Sequence, residues 1–68
     1  MNFTIEIEPE SDGRWIAELI NLPGVLVYAN TKEEAVKKVQ ILTLRVLADL
    51  LEHGEFNCEF INFNLHRD

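Results

Sequence analysis

Four carboxylates in the first third of the chain, Glu6, Glu8, Asp12 and Glu18, have types and spacing that could do chemistry. Gathered on one surface they could hold Mg²⁺, which takes oxygen ligands and activates water for hydrolysis. A plainer reading competes with this one. Glu6 and Glu8 form the polar half of an alternating strand, Asp12 suits a turn, and carboxylates at strand spacing are common on half-exposed sheets. Only Glu18 is left without such a role. His53, Cys58 and His66 could be zinc ligands, but their spacing matches no established zinc pattern and a fourth ligand is not evident. His53 fits a helix end, Cys58 a small apolar strand position, and His66 a terminal tail. Cys58 has no basic neighbour in sequence to favour a reactive thiolate. No Gly-rich phosphate loop and no Ser/His/Asp order is present. The expectation is a non-enzymatic protein with no catalytic residues, no metal site and no cofactor.

The elements that must position these residues are legible from punctuation. Phe3-Thr4-Ile5-Glu6-Ile7-Glu8 alternates apolar and polar, and Trp15-Ile16-Ala17-Glu18-Leu19-Ile20 is rich in residues that suit a pleated surface. Asp12-Gly13 between them reads as a hairpin turn, with Gly13 supplying positive φ and Pro9 ending the first run. Leu22-Pro23-Gly24 gives a second turn, since proline presets φ and glycine tolerates the left-handed position after it. Val25-Leu26-Val27-Tyr28-Ala29 is then a third strand.

Thr31 and Glu34 have the spacing of a capping box: the hydroxyl accepts from the Glu34 amide while the carboxylate reaches back to the Thr31 amide. The helix should run from about Lys32 to Glu52 or His53 and stop before Gly54, a natural left-handed residue past a helix end. Glu33 and Glu34 lie at the positive end of its dipole. At 100° per residue, Ala35, Val39, Leu42, Val46 and Leu50 form one stripe, widened by Val36 and Leu47, enough to cover a sheet. Ile41, Leu44, Ala48 and Leu51 point to the other side. They read as a homo-oligomer or partner surface unless residues 56 to 65 fold over them. In that last segment Phe56, Cys58 and Phe60 alternate, but Ile61, Phe63 and Leu65 continue on the opposite parity, which calls for a bulge or a strand covered on both faces.

In order, Asp12-Gly13-Arg14-Trp15 before a strand, Leu22-Pro23-Gly24-Val25 before a strand, Thr31-x-Glu33-Glu34-Ala35 opening a long aliphatic helix, and Leu50-Leu51-Glu52-His53-Gly54-Glu55 closing it resemble the HicB family of antitoxins. These are the inhibitory partners in one class of bacterial and archaeal toxin–antitoxin systems. The resemblance covers about residues 3 to 55, and its ordered set is specific although each element alone is commonplace. It implies a partial ribonuclease H-like domain that occludes a small, basic, RNA-cleaving HicA-like toxin. Many family members carry a DNA-binding segment after this domain, and residues 56 to 68 are too few for one, so direct nucleic-acid binding is not expected here.

Charge points the same way. Twelve acidic against six basic residues among 68 give a net charge of −6. That disfavours nucleic acid, where neutralisation of phosphates by Lys and Arg dominates affinity, and favours a basic protein partner. A lone cysteine provides no disulfide framework, no signal peptide is evident, and no apolar run approaches the roughly 20 residues of a membrane span. A cytoplasmic protein without membrane attachment is therefore expected. Chains of this size bury only about 60% of their extended surface, so a partner or a homo-oligomer would add to the core.

The chain after the helix should return as a fourth strand beside and parallel to the first, through a right-handed crossover. The expected fold is α+β, a single β-β-β-α-β domain over residues 1 to 68. Its mainly antiparallel four-stranded sheet has order 3-2-1-4, with one long helix on one face, as the resemblance also implies. The other face should mix carboxylates with apolar or aromatic side chains. Glu6, Glu8, Glu18 and Tyr28 are the candidate partner-binding residues, and Ile41, Leu44, Ala48 and Leu51 the candidate oligomer interface. Trp15 reads as a core anchor. An alternative function is a self-assembling structural or ligand-sensing module with no toxin partner. A third, a vestigial nuclease, requires Mg²⁺-dependent RNA cleavage that is lost on Glu6→Gln or Glu8→Gln.

Overall fold

A computed structural model describes residues 1–57 and 59–67, with Arg67 described by its backbone alone. Cys58, expected as an apolar strand position, and Asp68 lie outside the described residues. The elements are β1 (Asn2–Pro9), β2 (Trp15–Leu19), β3 (Leu26–Ala29), α1 (Lys32–Glu52) and β4 (Asn62–Arg67). The four strands form one sheet of order β3-β2-β1-β4. β1 and β2 are antiparallel, as are β2 and β3, while β4 runs parallel to β1, so the sheet is mixed. This is the α+β arrangement that the sequence implies.

The first turn closes through Gly13 N donating to Glu10 O at 3.1 Å and Glu10 N donating to Arg14 O at 2.7 Å, with Gly13 at φ 92°. A turn followed by one left-handed residue is a common three-residue hairpin loop. At the second turn Gly24 has φ 83°, and Val25, although outside β3, is buried and its carbonyl accepts from Leu19 N at 2.9 Å. Beside it the Asn21 side chain accepts from Thr4 N at 2.7 Å, which ties the end of β2 to β1.

Only half of the capping box forms. Glu34 N donates to Thr31 Oγ1 at 3.1 Å, but the Glu34 carboxylate turns forward to Lys38 Nζ, 3.2 Å away, one turn along the helix. The far end is a complete Schellman turn: Gly54 N donates to Leu51 O at 3.2 Å and Glu55 N to Leu50 O at 2.9 Å, with Gly54 at φ 72°. Both helix ends fall where the sequence places them.

The core lies between the sheet and the helix. Phe3, Ile5 and Ile7 of β1, Ala17 and Leu19 of β2, Val25, Ala29, and Ala35, Val39 and Leu47 of α1 are buried. The buried line of the helix is Ala35-Val39-Thr43-Leu47, at steps of four, whereas the sequence reading ran the stripe through Leu42, Val46 and Leu50. Those three are only half-buried flanks. Thr43 displaces them because its hydroxyl is satisfied within the helix, donating to Val39 O at 2.7 Å, so the methyl can face the core without an unpaired polar group. Trp15 packs against this core, as expected of an anchor.

The parity break in the last segment has a simpler origin than a bulge or a doubly covered strand. β4 begins only at Asn62, so Phe56 and Phe60 precede the strand and need not share its alternation. Phe63 lies beside Phe3 with ring centroids 6.1 Å apart. The helix lies over β1, β2 and β3 and not over β4, which leaves Leu65 about half exposed on the helix side.

Candidate partner-binding surfaces

Strand register decides which candidate residues meet. Side chains alternate across a strand, so the buried Phe3, Ile5 and Ile7 send Thr4, Glu6 and Glu8 to the face that the helix does not cover. Glu6 pairs with Glu18 and Glu8 with Ile16 across to β2, while Ile16 pairs with Tyr28 and Glu18 with Leu26 across to β3. Glu6, Glu8, Glu18 and Tyr28 therefore share one open sheet face, as the sequence anticipates. On the far side Glu6 has His66 as its register neighbour in β4.

Two features give this face its character. Glu6 and Glu18 stand directly opposite each other in an antiparallel pair, an arrangement of like charges that costs stability. Around them are apolar side chains that the parity of β2 and β3 supplies: Ile16 half-buried, Ile20 exposed by 52%, Leu26 by 39% and Tyr28 by 42%. A monomer leaves such a mixture in water, and a partner with cations around an apolar centre would relieve both penalties.

Arg14 follows the first turn directly, next to the left-handed Gly13. Its Nε donates to Asp12 Oδ2 at 2.8 Å and its amide to Asp12 Oδ1 at 3.0 Å. The same guanidinium lies over the Tyr28 ring, 4.5 Å from the centroid, a cation–π contact that fixes one corner of the open face. The Arg14 amide, and then its guanidinium, hold the Asp12 carboxyl below the usual carboxylate range. Asp12 is thus engaged by the hairpin turn. Among the described residues no three His, Cys, Asp or Glu side chains gather in a way that could hold a metal ion.

The second surface is on the helix. Ile41 is 43% exposed, Leu44 47% and Leu51 45%, with Ala48 exposed between them. Residues after the helix pack elsewhere: Phe56, Ile61 and Phe63 pack against the core and β4 pairs with β1, so among the described residues none covers the stripe. Ile16, Ile20, Leu26 and Asn21 were not singled out from the sequence. The first three follow from strand parity once the register is known, whereas Asn21 carries no signal beyond its preference for turns.

The fold and its surfaces define a small α+β domain with two uncovered faces, one acidic and partly apolar, the other aliphatic. Comparison with family models, curated proteins and solved structures gives no match. None of these comparisons bears on a HicB-like family. Among the described residues no helix is long and apolar enough to cross a membrane.

Proposed function

We propose that this chain is a non-enzymatic, HicB-like binding module of the cytoplasm that neutralises a small, basic, HicA-like toxin ribonuclease by stoichiometric occlusion. The observation that carries the reading is the open sheet face, where Glu6, Glu8 and Glu18 lie among Ile16, Leu26 and Tyr28. Carboxylates there draw in a basic surface and compete with RNA phosphates for the same lysines and arginines, while the apolar centre holds the complex once water is excluded. The net charge of −6 acts in the same direction at long range.

Co-purification of the tagged chain from its host at moderate and high salt tests this reading. Recovery of a small basic protein that high salt releases, and that the Glu6→Lys, Glu18→Lys double variant fails to retain, supports it. Recovery of nothing, or retention by the double variant, sinks it. The second reading, a self-assembling structural or ligand-sensing module without a toxin, is favoured by one observation, the uncovered helix stripe.

A further inference from the structure

The outer edge of β4 is open in a directional way. Asn62 N donates to Met1 O at 2.8 Å, so the amide and carbonyl of Asn62 point toward β1. Backbone groups of successive strand residues point to opposite sides, so Asn64 and His66 also pair with β1, whereas Phe63, Leu65 and Arg67 present their amides and carbonyls outward. β4 ends the sheet order, and among the described residues no strand lies beyond it. Such a row of donors and acceptors is a template for one further strand.

The devices that block strand addition are missing here. Residues 62 to 67 contain no proline, no lysine and no carboxylate, and α1 does not reach over β4. The opposite edge, β3, is only four residues long and lies under α1. On the helix side of β4, Leu65 is 49% exposed and Phe63 half-buried. On the open face Asn62 and Asn64 are exposed, and Asn62 Nδ2 already donates to Asn2 Oδ1 of β1 at 3.0 Å.

We infer that a second copy of this chain supplies the missing strand, with the two β4 strands antiparallel about a two-fold axis at Asn64. That register sets Phe63 opposite Leu65 of the second copy, twice, and each pair exchanges both hydrogen bonds through the backbone groups that point outward. Asn64 then faces Asn64 of the second copy in a closely spaced, non-hydrogen-bonded pair, where the two carboxamides extend the asparagine contacts begun at Asn2 and Asn62. Moving the axis to Leu65 would set Phe63 opposite Arg67, so the register at Asn64 is the one that pairs both apolar residues with apolar ones. Charge selects a second copy over a basic partner at this edge, because β4 has no carboxylate to draw cations while the open face has Glu6, Glu8 and Glu18. The arrangement also closes: one two-fold contact uses both β4 edges and leaves only the short β3 edges outside. Its axis stands perpendicular to the sheet, so the two four-stranded sheets become one, with both helices on one side and both acidic faces on the other. The inference rests on the backbone of β4 and does not depend on the toxin reading.

The test uses the purified full chain. Hydrogen exchange on the wild type should show the Phe63 and Leu65 amides gaining protection as concentration rises, while those of Asn62 and Asn64, bonded to β1, stay protected throughout. In sedimentation Leu44→Glu, which blocks association through the helix, is expected to remain a dimer. Adding Leu65→Pro should raise its dissociation constant at least about tenfold, because proline removes an outward amide that β1 does not use. Circular dichroism confirms that each variant folds, and Leu65→Lys takes the place of the proline variant if that one does not. With Cys58 replaced by serine, Asn64→Cys should give a disulfide-linked dimer under a mild oxidant and Leu65→Cys should not, since only residues facing each other at the axis come within disulfide reach. A Leu44→Glu chain that stays monomeric at millimolar concentration overturns the proposal. So does a dimer that survives the change at Leu65, or exchange at Phe63 and Leu65 that ignores concentration. Crosslinking through Leu65→Cys in place of Asn64→Cys overturns the register.

Discussion

At Asp12 two hydrogen bonds from Arg14 explain why a turn residue has this identity, and they give it a pH signature. The folded carboxyl titrates below its unfolded counterpart, so the bonds contribute fully above the unfolded pKa and their contribution is lost as pH falls through the folded value. Asp12→Asn is expected to lower the melting temperature at neutral pH, and the difference from wild type should shrink as the solution is acidified. Thermal melts across the acid range check this. Asn21 makes a different kind of contribution, because its side-chain oxygen receives the Thr4 amide where β2 has already ended. Asn21→Ala should cost about 1 kcal/mol, the net worth of one hydrogen bond, measurable by urea denaturation. Turn chemistry predicts a polar residue at either position, but only the folded chain shows what each one binds.

The helix is the element where sequence and structure differ most informatively. Its limits are legible because caps are local: Thr31 starts it and Gly54 ends it through bonds reaching no more than five residues. Its buried face is less legible, since hydropathy assigns Thr43 no place while the fold puts it at the centre of the core. Thr43→Val removes a hydroxyl that bonds only within the helix and keeps the branched shape. It should leave stability unchanged or raise it by up to about 1 kcal/mol, a few degrees in melting temperature. Leu47→Ala, one turn further along the same line, should instead cost about 2–5 kcal/mol by opening a cavity. If Thr43→Val proves as damaging as Leu47→Ala, the hydroxyl has a role that its bond to Val39 does not describe.

Over the whole molecule, shape and charge work together. The radius of gyration is 12.5 Å, against about 11 Å for a compact domain of this length. The extents of 40 × 17 × 17 Å describe a rod. A rod exposes more side chain per residue than a sphere, which is why one sheet face and one helix stripe can both remain uncovered in so short a chain. The two faces differ in kind, so they should respond differently to salt. Binding of a basic partner at the sheet face should weaken markedly between low and high ionic strength, by the screening of exposed charges. Association through the helix, with an aliphatic centre, should change far less. Titrations at two salt concentrations, read by fluorescence of Trp15 or by sedimentation, separate the two. Equal salt dependence at both surfaces would contradict this division.

The sequence by itself determined what is local or periodic. Glycine and proline placed the turns, the caps bounded the helix, alternation marked β1, and the long connection through the helix made β4 parallel to β1. These follow from backbone sterics and short-range hydrogen bonds, which a few neighbouring residues settle. Only the tertiary structure decided what depends on register and on docking between elements. It set Glu6 against Glu18, placed Arg14 over Tyr28, started β4 at Asn62, and turned Thr43 toward the sheet. Each of these brings together residues whose positions are fixed by the packing of the whole chain, and no local pattern encodes that distance.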